Sequence, residues 1–172
     1  TCALPISDDP SQPAPPPLPS ALIGEIVTYQ IRLDVPAGAT LTNLKALDIL
    51  DSGLAFVSCV NVAGGNLTTT LPGGFAEACN DPVNPTVQAE PVGNPTAVNQ
   101  GRRLSFDFGD VTNPSAMDGE TLLVTYEVVI LDIAENANGV SGLNNSVLWT
   151  WDGGSLAASA PPLEIIEPQL SI

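Results

Sequence analysis

The sequence contains no histidine, and Lys45 is the only lysine among its four basic residues. Histidine is the usual base of Ser-His-Asp and Cys-His sites and a frequent zinc ligand, so its absence excludes those sites. No apolar run reaches the roughly 20 residues that a membrane-spanning helix needs. No signal peptide is recognisable, so we expect a mature chain or a fragment. These absences predict a protein that is not an enzyme and does not insert in a membrane.

Positive charge is scarce as well. The 172 residues carry 19 acidic and 4 basic side chains, for a formal net charge of −15. Such a surface repels nucleic acid and anionic membranes, so neither is an expected partner. Two interpretations of the acidic surface remain, which are simple solubility and cation binding. Hydrophobic residues make up 44% of the chain, enough for one domain with a core.

Apolar and polar residues alternate along residues 25–35, and they alternate again along 104–108, 122–130 and 147–151. A period of two is typical of antiparallel strands with one buried face. The predicted strands are 25–35, 41–49, 54–60, 102–109, 121–131 and 143–151, with Tyr29 and Tyr126 pointing inward. Turn signals separate them, among them Asp152-Gly-Gly. No segment has a helical period with caps, so the sequence predicts an all-β sandwich.

Composition divides the chain into three parts. Residues 1–23 form an N-terminal Pro-rich segment, in which 10–19 is expected to be a stiff polyproline-like spacer or a disordered linker. Residues 24–160 are predicted to form the sandwich, with a long loop insertion at 61–101 that is rich in Gly, Pro, Asn and Thr. Residues 161–172 are predicted to form a C-terminal extension strand.

Two of the three cysteines, Cys59 and Cys79, flank the first part of the insertion. In a secreted protein this arrangement predicts a disulfide that closes a loose excursion and stabilises the fold by about 3 kcal/mol. The alternative is a pair of free buried thiols. The remaining Cys2 is then unpaired, joined to a neighbouring subunit, or modified.

Several other polar and aromatic residues have two interpretations each. The acidic clusters near turns are candidate calcium ligands or ordinary turn residues, and their spacing matches no known calcium loop, so the sequence predicts no cofactor, with calcium as the alternative. These clusters are Asp48 with Asp51, Asp107 with Asp110, and Asp132 with Glu135 and Asn136. Asn66 begins a glycosylation sequon. Trp149 and Trp151 either pack in the core or form a sugar-binding platform.

Four segments resemble the repeat domains of bacterial and archaeal surface proteins, including fimbrial isopeptide-forming adhesin domains. They are Gly-Glu-Ile-Val-Thr-Tyr-Gln-Ile at 24–31, residues 44–57, Gly-Glu-Thr-Leu-Leu-Val-Thr-Tyr at 119–126, and Asn-Asn-Ser-Val at 144–147. The resemblance covers most of residues 24–151 apart from the insertion. It implies an Ig-like antiparallel β-sandwich with a structural or adhesive role outside the cell, at the cell surface.

The resemblance also raises the question of an intramolecular isopeptide bond. In that chemistry a buried neutral lysine attacks an Asn or Asp side chain while a nearby carboxyl moves protons. The family places its lysine just before the Gly-Glu strand, where this chain has none. The remaining combination is Lys45 as the amine, Asn144 or Asn145 as the electrophile and Asp48 as the acid. The alternative is that Lys45 faces solvent.

The sequence therefore predicts a non-enzymatic extracellular structural protein, the subunit of a filament or pilus that binds copies of itself head to tail. Residues 163–172 are predicted to leave their own sandwich and to add a strand to the next subunit. The predicted joint consists of Leu163, Ile165, Ile166, Leu170 and Ile172. The alternative is an adhesin or carbohydrate-binding module of a larger cell-surface protein, whose partner would be a glycan or a host or abiotic surface.

Overall fold

A computed structural model describes residues 6–7, 19–80, 82–136 and 141–166. The strands of these residues are β1 (Ile6–Ser7), β2 (Ser20–Leu22), β3 (Ile26–Val35), β4 (Thr40–Leu50), β5 (Leu54–Ala63), β6 (Thr68–Thr69), β7 (Thr86–Gln88), β8 (Arg103–Thr112), β9 (Glu120–Ile130), β10 (Ser141–Leu143), β11 (Asn145–Trp151), β12 (Gly154–Ser159) and β13 (Leu163–Ile166). Two short 3₁₀ helices span Gly74–Cys79 and Ala134–Asn136. None of the helices in the described ranges is long and apolar enough to cross a membrane.

The strands form two large antiparallel sheets and one small mixed sheet. The first large sheet has the order β1–β3–β9–β5, and the second has the order β12–β11–β4–β8–β6, with β7 also paired to β8. The small sheet has the order β10–β13–β2, in which β13 and β2 run parallel. This arrangement confirms the predicted all-β, Ig-like antiparallel sandwich.

The core lies between the two large sheets, where the alternation in the sequence places the apolar side chains. Tyr29 on β3 and Tyr126 on β9 are both fully buried, as predicted. The Tyr126 ring lies 5.9 Å from the Tyr29 ring in its own sheet and 6.1 Å from Phe106 of the other sheet, measured between centroids. Burial of each such side chain contributes about 1.5–3 kcal/mol, so the facing apolar rows hold the sandwich together.

The six predicted strands all exist, but the fold also uses strands that the alternation did not reveal. One of these, β12, follows β11 through the predicted turn at Asp152, and it forms an edge of its sheet. Its sequence, Gly-Ser-Leu-Ala-Ala-Ser, does not alternate, because most of its side chains are exposed. β5 contains two bulges and continues to Ala63, beyond the predicted end at residue 60.

The insertion at 61–101 folds back onto the sandwich. Its two short strands, β6 and β7, both pair with β8. Arg102, which follows it, donates a hydrogen bond from Nε to the Leu50 carbonyl at 3.0 Å and one from Nη1 to the Glu90 carbonyl at 3.2 Å. These bonds attach the end of the insertion to β4.

The C-terminal strand differs from the prediction. Residues 163–166 were expected to leave the sandwich, but β13 pairs with β2 on one side and with β10 on the other. Leu163 and Ile165 are buried in the same core as Ala21 of β2. β13 stays in its own domain because Leu163 and Ile165 can be buried there, next to β2. The strands β2 and β13 both lie outside the predicted sandwich limits of 24 and 160. Leu170 and Ile172, the other predicted joint residues, lie outside the described residues.

Candidate functional site

Three polar side chains meet in the apolar core, and we call them the inner cluster. They are Asp48 on β4, Tyr126 on β9 and Asn145 on β11, and all three are fully buried. Tyr126 Oη donates a hydrogen bond to Asp48 Oδ2 at 2.5 Å. Asn145 Nδ2 donates to Asp48 Oδ2 at 3.3 Å and to Tyr126 Oη at 2.6 Å. The cluster therefore joins one large sheet, through β4 and β11, to the other through β9.

The pleat of β4 explains why a carboxyl stands in the core. Leu44, Ala46, Asp48 and Leu50 alternate with outward residues, so Asp48 occupies a position that is otherwise apolar. Asn145, the first residue of β11, faces the same way, because β11 pairs with β4 in a register that sets Asn145 opposite Leu50. The sequence prediction used Asp48 but did not recognise Tyr126 as its hydrogen-bond donor.

Burial has changed the acidity of this cluster. Desolvation raises the pKa of Asp48 from 3.8 to about 7, although the hydrogen bonds from Tyr126 and Asn145 act to lower it. Burial, and then the neighbouring Asp48 carboxyl, raise the pKa of Tyr126 well above its ordinary value. Within the described part of the chain, Asp48 Oδ1 and Asn145 Oδ1 have no hydrogen-bond partner. The cluster therefore holds unpaired acceptors in an apolar core.

Lys45 lies on the other face of β4, and with Asp107 on β8 it forms what we call the outer ion pair. Its Nζ lies 2.8 Å from Asp107 Oδ2, and the two side chains are 44% and 49% exposed. Partial burial acts to raise the pKa of Asp107, but hydrogen bonds from Lys45 and from the Gly109 N–H outweigh it, so the pKa is lowered. Lys45 thus faces solvent, as the alternative interpretation had it.

The proposed isopeptide residues are therefore not brought together. Lys45 and Asp48 are three residues apart on one strand, so their side chains point to opposite faces of the sheet. Asn144 is exposed and donates its Nδ2 to the Gly142 carbonyl at 2.6 Å. Of the predicted trio only Asp48 lies in the core, where its neighbour is Asn145, the alternative electrophile. The combination of Lys45, Asn144 and Asp48 is wrong as a bond-forming site.

The predicted disulfide is present between Cys59 and Cys79, with their Cα atoms 5.3 Å apart. Cys59 lies on β5, and Cys79 ends the 3₁₀ helix Gly74–Cys79. The bond therefore fixes the first half of the insertion against the outer strand of its sheet. Cys2 lies outside the described residues.

Two of the acidic residues near turns, Asp51 and Asp110, bond to the backbone. Asp51 accepts hydrogen bonds from the N–H groups of Ser52 and Asn144, and Asp110 accepts one from the N–H of Asn43. Over the described ranges, no group of three or more His, Cys, Asp or Glu side chains is placed to hold a metal ion. These contacts are the turn chemistry that was the alternative to calcium binding.

The remaining candidates separate into buried and exposed residues. Trp149 is fully buried and packs against Phe108, so it does not present a platform to a sugar. Trp151 is partly buried against the same core. Asn66 is exposed in a turn after β5, where its Nδ2 donates to Glu120 Oε1 at 2.6 Å. Its glycosylation stays a prediction.

The second notable feature is the pair formed by β2 and β13, which we call the terminal strand pair. The two strands are parallel, with Ser20 opposite Glu164 and Leu22 opposite Ile166. The Glu164 N–H also donates to the Pro19 carbonyl at 2.9 Å. The chain enters β2 at one end of this pair and leaves β13 at the opposite end.

Comparison with known proteins gives matches in structure alone. No protein-family model and no curated sequence matches the chain. Two domains of the major pilin of Corynebacterium diphtheriae share 16% identity over 83% of this chain and 47% of theirs, with a TM-score of 0.45. The N-terminal domain of a Streptococcus gordonii adhesin shares 17% identity over 92% of this chain and 31% of its own, with a TM-score of 0.49.

A third similar structure is the collagen-binding domain of a Staphylococcus aureus adhesin, with 10% identity over 79% of this chain and 87% of that one and a TM-score of 0.42. These are the classes of surface protein that the sequence resembles. The chain spans less than half the length of the pilin and of the Streptococcus gordonii adhesin domain. Similarity at this level concerns the general fold and does not determine a function.

Proposed function

We propose that this chain is a non-enzymatic structural module of an extracellular surface protein, built to carry tension. The observation that carries the proposal is the terminal strand pair. Once the two-residue pairing of β1 with β3 is broken, a pull on the two sides of the chain acts at Ser20 and at Ile166, which lie at opposite ends of parallel strands. All the hydrogen bonds between the strands are then loaded together, whereas a hairpin pulled from one end loses them one at a time.

Burial and covalent bonding reinforce this arrangement. Leu163 and Ile165 fix β13 in the core, and β10 pairs with its other side. The Cys59–Cys79 disulfide supports an extracellular location, because such bonds persist in oxidising compartments. The fully buried inner cluster supports a non-enzymatic role, since a substrate cannot reach it. The charge of −15 supports partners other than nucleic acid or an anionic membrane.

Two forms of this function differ in their partners. In the filament form, copies of the chain bind head to tail, and a strand-addition joint would use residues 167–172, because Leu163–Ile166 already pair within their own chain. In the adhesin form, the module stands in a larger surface protein and a glycan or another surface is the partner. The internal pairing of β13 favours the adhesin form over a joint built from the whole of 163–172.

Single-molecule pulling of the full chain between marker domains tests the mechanical role. We expect a higher unfolding force when the pull acts through the two chain ends than when it acts through one end and the β11–β12 turn at Gly153. Leu163→Ala should lower the first force by removing a buried contact of β13, whereas Leu156→Ala, 48% exposed on edge strand β12, should not. Equal forces in the two directions would contradict the proposal.

Negative-stain microscopy of the full chain separates the two forms. Polymers that disappear when residues 167–172 are deleted would support the filament form with its joint there. Monomers at every concentration would support the adhesin form. Polymers that survive the deletion would place the joint elsewhere on the module.

A further inference from the structure

We propose that Asp48 belongs to the folded domain as a neutral carboxylic acid, and that its proton is a structural part of the joint between the two large sheets. The free energy of unfolding of the domain would then be higher at acidic than at alkaline pH. This inference goes beyond a tension-bearing role and does not depend on it. It follows from the hydrogen-bond geometry of the inner cluster and from the uncharged side chains that the described residues place around it.

The hydrogen-bond donors of the inner cluster do not match its acceptors. Tyr126 has one O–H, which it donates to Asp48 Oδ2. The Asn145 amide donates to that same oxygen and to Tyr126 Oη. Asp48 Oδ1 and Asn145 Oδ1 then remain as buried acceptors without partners among the described residues. A proton on Asp48 removes the negative charge from a carboxyl whose Oδ1 receives no hydrogen bond, and so lowers the cost of leaving that oxygen unpaired.

The opposite orientation of the Asn145 amide leads to the same result. Its oxygen would then lie where Nδ2 now lies, 3.3 Å from Asp48 Oδ2 and 2.6 Å from Tyr126 Oη. The Asn145 oxygen and Asp48 Oδ2 would then attract each other only if one of them carried a hydrogen. Tyr126 has a single hydroxyl hydrogen and the amide oxygen has none, so the additional hydrogen must be on the Asp48 carboxyl.

Among the residues that the structure describes, none places a charge beside Asp48 that would stabilise a carboxylate. From β9 and β3 the titratable groups on the inner side are Tyr126 and, stacked behind it, Tyr29. β8 and β11 contribute Leu104, Phe106 and Val147 to the same core, besides Asn145. The buried residues of the described ranges include no Lys or Arg. An unbalanced buried carboxylate is strongly unfavourable, and protonation removes the cost.

The nearest charged residues along the same strands face away from the core. Lys45 on β4 pairs with Asp107, and Arg103 on β8 pairs with Glu90 at 3.0 Å. Asp51 follows β4 and bonds to backbone N–H groups.

Linkage fixes the direction of the effect. Burial raises the pKa of Asp48 from 3.8 to about 7, so between these values the folded chain holds a proton that the unfolded chain has released. The free energy of unfolding must then fall as the pH rises through this window and level off above it. At the steepest point the unfolding equilibrium constant should increase about tenfold per pH unit.

Urea unfolding of the full chain at pH values from about 5 to 9 tests the proposal. We expect the midpoint to fall over this range in the natural sequence. In Asp48→Asn, whose amide is uncharged and can donate, the fall should disappear. Asp107→Asn, which removes the carboxyl of the outer ion pair, is the matched control and should keep the full pH dependence. A flat profile in the natural chain, or an unchanged slope in Asp48→Asn, would overturn the proposal.

A second measurement covers the case in which Asp48→Asn does not fold. Carboxyl carbon NMR of the natural chain follows the titration of Asp48 directly. A resonance of a buried carboxyl that titrates near neutral pH supports the proposal. Titration of every aspartate below about pH 5, in the ordinary range of the group, would overturn it.

Discussion

Asp48 and Asp107 lie on neighbouring strands of the same sheet, yet their pKa values shift in opposite directions. Asp48 points into the core, where burial raises its pKa to about 7. Asp107 points outward, where hydrogen bonds from Lys45 and Gly109 outweigh partial burial and lower its pKa. The face of the strand, and not the residue type, determines what each carboxyl does. The Asp48 carboxyl holds a proton inside the domain, and the Asp107 carboxyl forms an ion pair at the surface.

The comparison also shows where polar contacts matter for stability. The outer ion pair is close to half exposed, and such pairs contribute about 0–1 kcal/mol. In the inner cluster every partner is buried, so a missing partner leaves a desolvated polar group that water cannot reach. A substitution in the core should therefore lower the free energy of unfolding more than a similar substitution on the exposed face of the same sheet.

The largest effect is expected from a second carboxyl beside Asp48. Val147 on β11 is buried and lies opposite Asp48 in the strand pairing. Val147→Asp should therefore lower the free energy of unfolding by about 3–5 kcal/mol, the cost of an uncompensated buried charge, or prevent folding. Leu148, the next residue, is 39% exposed on the other face, so Leu148→Asp should change stability little. Urea unfolding followed by circular dichroism measures both, and equal losses would show that the β11 register is wrong.

The next largest effect is expected at the adjacent asparagines. Asn145→Ala removes the amide from the inner cluster and should cost about 1–3 kcal/mol, because Asp48 loses a donor in the core. Asn144→Ala removes a side chain that is exposed and should cost less than about 0.5 kcal/mol. The same unfolding assay compares them. A larger loss in Asn144→Ala would contradict the assignment of Asn145 to the core.

These asparagines show how far the sequence could predict the site. The alternation identified the long strands and the inward tyrosines, and the positions of Cys59 and Cys79 predicted their disulfide. Which asparagine enters the core depends on the pairing of Asn145 with Leu50, a contact that local patterns do not define. Lys45 and Asp48 are an odd number of residues apart on a predicted strand, so the sequence alone places their side chains on opposite faces.

The terminal strand pair was hidden for a different reason. β2 has three residues and β13 has four, too few to display an alternation. The two strands pair with each other from opposite ends of the sequence, so the sequence does not show that the apolar residues of 163–166 have a site in their own domain. Short strands joined by distant pairing are specified by the finished core rather than by their own pattern.

Removing the tyrosine hydroxyl should move the pH response rather than abolish it. Tyr126→Phe deletes a hydrogen bond that favours the Asp48 carboxylate, so the pKa of Asp48 should rise further. The fall in stability with rising pH should then extend to higher pH than in the natural chain. Urea midpoints across the same pH series measure the shift. A response that moves to lower pH would mean that the hydroxyl does not stabilise the charged form.

The smallest effect is expected from the outer ion pair. Lys45→Met keeps the apolar part of the side chain and removes its charge. The half-exposed Asp107 carboxyl then keeps the hydrogen bond from the Gly109 N–H and is otherwise open to solvent. The free energy of unfolding should fall by no more than about 1 kcal/mol, and the difference from the natural chain should shrink as salt is added, because exposed charges are screened. Urea unfolding at low and high ionic strength measures both quantities. A loss as large as that of Asn145→Ala, unaffected by salt, would mean that the two faces of this sheet do not differ in the way that Asp48 and Asp107 indicate.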